Sequence, residues 1–264
     1  MENPDEESKS KTDKYDFVVK PILDNLKRMR EDVVLVVGAN GAGKTHMIQT
    51  LSIVEKFKDA SDDAGLREEL EASFPEDADI TFADRGVPYH IHKTFFADSG
   101  LQFYEIPGVG DFTRDVIDWL APDIVKRIGC VVLVSQIDYS RQVDDARALL
   151  IDLSGKFAQH NHNCRQFLYV ANFADMQSIP AEEWSEGSLS DYCQKIFKAR
   201  RHHFVCKQFH ETRNKPAKEF KEYTFASRPR NVDFFMEHHL ETAKEILNKI
   251  FNRPNWMSTA TIRN

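Results

Sequence analysis

Residues 33–46 read VVLVVGANGAGKTH, and this segment decides the fold of the chain. Five apolar residues, mostly β-branched, run directly into glycine, which predicts a strand that is buried on both faces. From Gly38 to Thr45 the chain follows the spacing Gly-x-x-x-x-Gly-Lys-Thr, which is typical of a phosphate-binding loop. A helix is predicted to follow, from Thr45 to Phe57. A glycine-rich turn without a ligand is the alternative interpretation, but it leaves the Lys-Thr pair unexplained.

The chemistry of such a loop depends on exposed backbone. Gly38, Gly41 and Gly43 allow the chain to curl so that successive N–H groups point inward, and the helix that follows adds the positive end of its dipole. The Lys44 ammonium would reach the β- and γ-phosphates, and the Thr45 hydroxyl would bind Mg²⁺. The nucleotide-binding residues predicted in this loop are Gly38, Ala39, Asn40, Gly41, Ala42, Gly43, Lys44 and Thr45.

Composition narrows the class of protein. The 264 residues fit one domain with a modest insertion, and a hydrophobic content of 41% is enough to form a core. A net charge of −7 argues against a nucleic-acid partner. The sequence has no apolar run long enough to span a bilayer and no apolar signal core, so we expect a cytoplasmic protein. Its four cysteines show no paired spacing, so neither a zinc site nor a disulfide framework is expected.

The chain is predicted to form one domain between two tails. Residues 1–14 are polar and charged and are expected to be a disordered tail, and residues 253–264 form a second tail. The domain spans residues 15–252 and begins with an amphipathic helix at 15–31. Its acidic segment 58–79 is predicted to be a solvated insertion with one or two short helices.

Alternating strand and helix patterns fill the rest of the domain. Residues 98–100 are predicted to form a tight turn, so the strands on either side of it must be antiparallel. The whole pattern favours an α/β fold with a mostly parallel six-stranded sheet, one antiparallel strand and helices on both faces. After the first strand, the predicted strands are 87–97, 101–106, 130–136, 166–171 and 223–226, and the predicted helices are 143–157, 188–201 and 234–251.

Three further segments lie at predicted strand ends, where an open α/β sheet holds its ligand. They are 105–108 (EIPG), 172–175 (NFAD) and 224–227 (TFAS). In this order after the phosphate-binding loop, they resemble the nucleotide-binding motifs of the Ras-like GTPases. Further segments make the likeness closer to heterotrimeric G-protein α subunits, and it covers most of residues 22–251. They are Phe103-Tyr104, the predicted strand 130–136, Asp138-Tyr139, 221–226 (KEYTFA) and Asn231-Val232.

The resemblance implies a Ras-like P-loop NTPase fold that binds GTP or GDP together with Mg²⁺. By position, Gly108 would contact the γ-phosphate and order the segment that follows it. Asn172 and Asp175 would read guanine, and Thr224 and Ala226 would close over the base. The implied partners are a G-protein-coupled receptor, a βγ dimer or an effector protein, with peripheral attachment at the inner face of the plasma membrane as one location.

The chain departs from the α-subunit pattern at its metal and catalytic positions. Glu105 replaces the usual aspartate and, one methylene longer, would hold Mg²⁺ through water. Val109 replaces the glutamine that positions the attacking water, and an aliphatic side chain cannot orient water, so in-line hydrolysis loses its positioning group. Arg85 falls near the position of the family's magnesium-binding threonine. It is a candidate arginine finger, with a solvated loop arginine as the alternative.

The chain also departs from the α-subunit pattern at the base-binding positions and at the insertion. Phe173 replaces the usual lysine of the guanine motif, although its ring can supply packing over the base. Asp175 remains able to accept hydrogen bonds from guanine, which adenine does not offer. The large helical domain of the α subunits is missing or reduced to residues 58–79, so nucleotide exchange should be faster unless the insertion covers the site.

These features favour a guanine-nucleotide-binding signalling protein, a GTP/GDP-dependent switch with weak or absent hydrolysis. The alternative is a non-hydrolysing pseudo-GTPase that acts as a protein-interaction module, with nucleotide absent or permanently bound. A P-loop kinase for a small molecule is less favoured, because no arginine-rich lid is visible and residues 172–175 would go unexplained.

Overall fold

The computed structural model describes most of the predicted domain. The described residues are 20, 24, 33–58, 63–73, 90–91, 102–106, 112–118, 120–136, 140–172, 202–227 and 232–251. Both predicted tails, the turn at 98–100 and the helix at 188–201 lie outside them. Of the predicted helix at 15–31, only Lys20 and Asp24 are described, and both are helical.

The strands form a single sheet in the order β2-β3-β1-β4-β5-β6. They are β1 (Val33–Gly38), β2 (His90–Ile91), β3 (Gln102–Glu105), β4 (Ile128–Gln136), β5 (Cys164–Asn172) and β6 (Ala217–Phe225). All pairs among β1, β3, β4, β5 and β6 are parallel, whereas β2 pairs antiparallel with β3 through only two residues. The α/β prediction is confirmed. The prediction of six strands is confirmed only in part. The described antiparallel strand consists of His90 and Ile91 alone, and the rest of the predicted strand 87–97 lies outside the described residues.

Helices cover both faces of the sheet. They are α1 (Lys44–Lys56), α2 (Asp63–Ser73), α3 (Phe112–Asp118), α4 (Pro122–Val125), α5 (Ser140–Gln159), α6 (His202–Glu211), α7 (Val232–His238) and α8 (Leu240–Phe251). Alternate residues of β1 separate two cores: Val33, Leu35 and Val37 pack with α3 to α6, and Val34 and Val36 pack with α1, α2, α7 and α8. Because a strand alternates its side chains, an apolar run such as β1 must be covered on both faces.

Two helical predictions near the glycine-rich loop, residues 38–45, are confirmed. α1 begins within one residue of its predicted start, and the insertion contains the predicted short helix, α2, which buries Leu66 and Leu70. Three other elements differ from the prediction. β6 begins at Ala217 rather than at 223, α6 lies where the sequence predicts no element, and the predicted helix 234–251 is two helices separated at His239.

Two of these differences have a physical cause in the pattern of exposed and buried residues. β6 is an edge strand, and exposed charged residues such as Lys218 and Glu219 hide its apolar pattern. Among the residues of α6 whose burial is described, the buried apolar ones are Val205, Cys206 and Phe209, and charged or polar residues separate them from the rest of the helix. Only His239 separates α7 from α8, and hydrogen bonds of helical spacing continue across it, from the His239 N–H to the Phe235 carbonyl oxygen and from the Ala243 N–H to the His239 carbonyl oxygen.

The topology places those predicted site residues that the structure describes at one edge of the sheet. β1 lies between β3 and β4, so the chain changes direction across the sheet at β1. In open α/β sheets, ligands bind outside the carboxyl ends of the strands at such a point. The carboxyl ends of β1, β3, β5 and β6 carry, in turn, Gly38, Glu105, Asn172 and Phe225.

Candidate functional site

The loop between β1 and α1 has a conformation that requires glycine at its start. Gly38 has φ 153°, and a Cβ atom there would lie 2.1 Å from the carbonyl oxygen of Val134 on β4. No side chain fits at that distance. Gly43, which caps the N-terminus of α1, has φ 79°, a left-handed conformation that glycine adopts without strain. The loop is therefore held tight against β4 and turns sharply into the helix.

Lys44 folds back over this loop. Its Nζ atom donates hydrogen bonds to the carbonyl oxygens of Gly38 and Ala39, each at 3.0 Å, and the residue is only 5% exposed. Burial lowers the pKa of Lys44, while the nearby Glu105 carboxylate acts in the opposite direction. The tip of the loop stays open, since Asn40 and Gly41 are exposed. A buried cation beneath an exposed glycine-rich turn is an arrangement that attracts anions.

Thr45 and Glu105 meet beside the loop. The Thr45 Oγ1 atom lies 3.0 Å from Oε1 and 2.9 Å from Oε2 of Glu105, so its hydroxyl donates to that carboxylate. Glu105 is 6% exposed at the end of β3, whereas Thr45 is exposed at the start of α1. A hydroxyl oxygen and a carboxylate are hard oxygen donors of the type that Mg²⁺ prefers. These two residues therefore fit the metal that the sequence resemblance implies.

Asn172 bridges two separate loops at the end of β5. Its Nδ2 atom donates to the carbonyl oxygen of Ala42 at 2.9 Å and to Ser227 Oγ at 2.6 Å. Its Oδ1 atom accepts a hydrogen bond from the Ser227 backbone N–H at 3.0 Å. Asn172 and Ser227 are both fully buried. One amide side chain thus ties the glycine-rich loop to the segment that follows β6.

Thr50 adds a further link that sequence reasoning missed. This buried residue of α1 donates its hydroxyl to the backbone carbonyl oxygen of Ser227. The signal for it was a single hydroxyl on the otherwise apolar face that includes Met47 and Leu51. Ser227 itself lies in the predicted segment 224–227, but its bonding depends on residues more than fifty positions away and cannot be deduced from spacing.

The remaining predicted site residues divide into two groups. Ala226 is fully buried directly after β6, and Thr224 is half-buried within β6, where it pairs with Ala171. The structure therefore brings residues 38–45, Glu105, Asn172 and Ala226 to one edge of the sheet. The other positions named from the sequence lie outside the described residues, and these are Arg85, Gly108, Val109, Phe173 and Asp175.

The insertion helix α2 lies beside α1 and α7. Its Leu66 and Leu70 side chains enter the same core as α1 and α8. On the surface, Arg67 forms an ion pair with Asp233 of α7, and Lys56 of α1 pairs with Glu69 at 3.0 Å. The described helix of the predicted insertion, residues 63–73, therefore packs onto the helical layer of the sheet.

Comparisons with known proteins assign neither a family nor a function to this chain. No protein-family model matches the chain, and no curated protein matches it. Among solved structures, one similar chain is that of "the S. cerevisiae Ski7 GTPase-like domain, bound to GDP and inorganic phosphate", at a TM-score of 0.40 and 14% identity. The match covers 77% of this chain and 45% of that one. At this level of similarity, we take no functional argument from it.

No helix among the described residues combines the length and the apolar character needed to cross a membrane.

Proposed function

We propose that this chain is a guanine-nucleotide-binding protein that resembles a G-protein α subunit and acts as a GTP/GDP-dependent switch with weak or absent hydrolysis. The observation that carries the proposal is the Asn172 side chain, which joins the glycine-rich loop at Ala42 to Ser227 beyond β6. A nucleotide has a phosphate end and a base end, and a site for it needs both loops in fixed relation. The Asn172 bridge supplies that fixed relation with three hydrogen bonds among buried groups.

In this proposal, the loop at 38–45 holds the phosphates. Its backbone N–H groups and the N-terminus of α1 favour anions, and the Lys44 ammonium is already positioned against the loop. Phosphate oxygens would join the carbonyl oxygens of Gly38 and Ala39 as partners for that ammonium. The buried position of Lys44 strengthens its attraction for phosphate, because water screens the charge less there.

Thr45 and Glu105 would hold Mg²⁺, which neutralises phosphate charge when it is bound. At the other end of the site, the base would lie beside Asn172, with Asp175 accepting from guanine and Thr224 and Ala226 closing over it. Support for this half comes from the fixed position of Asn172 and from the buried backbone of Ala226 directly after β6. The guanine preference rests on the sequence motif at 172–175.

Hydrolysis is expected to be weak because Val109 stands where the related proteins have glutamine. We expect Val109→Gln to raise the rate of GTP hydrolysis in a single-turnover assay, since the amide can orient the attacking water. The rate would be followed by the release of inorganic phosphate from preloaded GTP. An unchanged rate would assign the deficit to another position, of which the Arg85 segment is the first candidate.

The binding test is a titration of the full chain with fluorescently labelled GTP, GDP and ATP. Guanine nucleotides should bind with micromolar or tighter affinity, and ATP should bind much more weakly. Lys44→Met, which keeps the aliphatic stem but removes the ammonium, should abolish binding. Lys126→Ala removes a lysine from an exposed turn after α4 and should leave binding unchanged.

Two results would contradict the proposal. If no nucleotide binds to a folded chain, the protein is the interaction module described as the alternative. If ATP binds as well as GTP, the guanine assignment of residues 172–175 is wrong.

A further inference from the structure

β6 forms one edge of the sheet over nine residues, and no described strand pairs with its outer side. The Cys164 N–H donates to the Pro216 carbonyl oxygen at 2.8 Å, which fixes the direction of the backbone groups. In a strand, the N–H and C=O groups of successive residues point to opposite sides. The even-numbered residues therefore bond to β5, whereas the odd-numbered ones, among them Glu219 and Lys221, direct their backbone groups outward. Such an edge is a template for pairing with another chain.

The charges on this edge are complementary to themselves. Residues 218–222 read KEFKE. When the strand lies antiparallel to a second copy with Phe220 on the two-fold axis, Lys218 faces Glu222 and Glu219 faces Lys221. The symmetry repeats each of these contacts on the other side of the axis. Opposite charges directly across two strands stabilise the pairing, and like charges destabilise it.

The charge pattern selects this one register. With Phe220 on the axis, the outward backbone groups of Glu219 and Lys221 face each other and can exchange hydrogen bonds. A shift that keeps outward groups opposite each other moves the axis to Glu219 or to Lys221. In both cases a charged residue then faces its own copy. Register is strongly specified where a shift is penalised in this way.

Aromatic packing holds the centre of the register in place. Phe220 is half-buried, and its ring stacks on Phe209 of α6, with the ring centroids 4.4 Å apart. Phe167 of β5 lies beneath it, with a centroid separation of 6.2 Å. The exposed part of the Phe220 ring would meet the same ring of the second copy across the axis. Aromatic pairs across two strands favour their association.

The charged side chains are available for a partner. They are all exposed: Lys218, Glu219, Lys221 and Glu222. Glu219 Oε2 accepts hydrogen bonds from Gln166 at 2.9 Å and from Lys249 at 3.3 Å, and Glu222 Oε2 accepts one from Cys206 Sγ. Among the described residues, these bonds use only the Oε2 atom of each carboxylate. The Oε1 atoms can therefore accept from the lysines of a second chain.

We propose that two copies of this chain associate through β6, antiparallel and centred on Phe220, so that their two sheets become continuous. A partner strand of uniform charge would meet a like charge at either the lysines or the glutamates. A second copy meets an opposite charge at every one of these positions. The inference does not depend on the proposed nucleotide site.

The test is sedimentation equilibrium of the full chain and of two variants with reversed charges. Lys218→Glu/Lys221→Glu makes the edge wholly negative, and Glu219→Lys/Glu222→Lys makes it wholly positive. Each variant alone should dissociate more readily, with a dissociation constant raised at least about tenfold, because like charges then face each other. An equimolar mixture of the two should associate again, which also shows that both variants are folded.

Lys56→Glu/Lys126→Glu is the matched control for the negative variant. It makes the same change in net charge at two exposed lysines outside β6. Its dissociation constant should stay close to that of the original chain. A rise equal to that of the negative variant would mean that net charge, and not the pairing of β6, controls association, and would overturn the proposal.

The register is tested by cross-linking with a carbodiimide, which joins a lysine amine to a carboxylate in contact with it. Chains labelled with ¹⁴N and ¹⁵N are mixed, so that mass spectrometry distinguishes links between chains from links within one chain. A link between Lys218 of one chain and Glu222 of the other is expected. An original chain that stays monomeric at every concentration would overturn the proposal, and so would a dimer whose links between chains lie outside β6.

Discussion

The two halves of the candidate site are built by different means. The loop side, residues 38–45 with Glu105, takes its shape from backbone conformation: positive φ angles and a contact with β4 too close for any side chain. The bridge side, which comprises Asn172, Ser227 and Thr50, takes its shape from buried side-chain hydrogen bonds between distant segments. Substitutions on the loop side should therefore act through steric strain, and those on the bridge side through lost hydrogen bonds.

The largest effect should come from Gly38→Ala on the loop side. The new Cβ atom would lie 2.1 Å from the Val134 carbonyl oxygen, so β1 or β4 must move. We expect the free energy of unfolding to fall by more than about 4 kcal/mol, the range of severe core disruption. Unfolding in urea, followed by circular dichroism, measures the change.

Gly155→Ala is the matched control for that substitution. Gly155 lies within α5, and a Cβ atom there meets no other atom within 4 Å. Alanine in a helix is favoured over glycine, so this variant should gain about 0.5–1 kcal/mol. Equal effects of the two substitutions would show that the close approach of the loop to β4 does not hold in solution.

The next effect should come from Asn172→Ala on the bridge side. Removal of the amide side chain leaves the Ser227 backbone N–H without its acceptor and removes the hydrogen bond to the Ala42 carbonyl oxygen. Buried polar groups left in this way cost about 1–3 kcal/mol each, so we expect a loss of about 3 kcal/mol and weaker nucleotide binding. Ser154→Ala is the control: Ser154 is also buried, but its hydroxyl donates to the Leu150 carbonyl oxygen within the same helix, α5. A loss in Asn172→Ala no larger than in Ser154→Ala would contradict the bridge.

A smaller effect should depend on pH at His239, which packs against Phe225 at the end of β6. Burial, with a further contribution from His238, lowers the pKa of His239 to about 4, and among the described residues neither ring nitrogen has a hydrogen-bond partner. Histidine in an unfolded chain has a pKa near ~6.5, so the unfolded state binds the proton first. The stability is fully present above about pH 6.5 and falls as the pH drops towards 4, by about 2 kcal/mol at pH 5.

Comparison with His239→Leu isolates this contribution from the titration of other groups. Urea unfolding of both proteins at pH 7.5 and pH 5 gives the difference. The variant should lose about 2 kcal/mol less than the original chain over this interval. The same loss in both would mean that His239 gains a partner or solvent access in solution.

The smallest effect should come from Arg67→Ala in the insertion helix. Arg67 pairs with Asp233 near the bridge side, but both side chains are exposed. Exposed ion pairs contribute about 0–1 kcal/mol, so we expect a change of no more than about 0.5 kcal/mol in urea unfolding. A loss of more than about 1 kcal/mol in the free energy of unfolding would show that the packing of α2 depends on this ion pair, and not on the burial of Leu66 and Leu70.

The contrast between the two sides also explains what the sequence could predict. Residues 38–45 of the loop side are contiguous in the sequence. The spacing of their glycines, Lys44 and Thr45 therefore indicates both the conformation of the loop and its chemistry. β1 and α1 were predictable for the same reason, because a continuous apolar run and an amphipathic repeat are local signals. The closeness of Glu105 to Thr45 was beyond such signals, since it depends on the parallel pairing of β1 with β3.

The bridge side was predictable only through its motif at 172–175. The bonds of Asn172 to Ala42 and Ser227 span 130 and 55 residues, and the roles of Thr50 and Ser227 emerge only when the sheet is assembled. The same limit applies to β6 and α6, whose apolar patterns are interrupted by charged residues facing solvent. Long-range pairing, and not local propensity, decided these elements.

The central claim is that backbone amides of residues 38–45 hold the phosphates of a guanine nucleotide. The most direct test records amide resonances of ¹⁵N-labelled protein before and after addition of GDP and Mg²⁺. The claim predicts that the amide protons of Gly43 and Lys44 shift strongly downfield, as expected for N–H groups that donate to phosphate, while the amides of Gly155 and Lys126 do not move. Saturating GDP that leaves the amides of Gly43 and Lys44 unchanged would contradict the account.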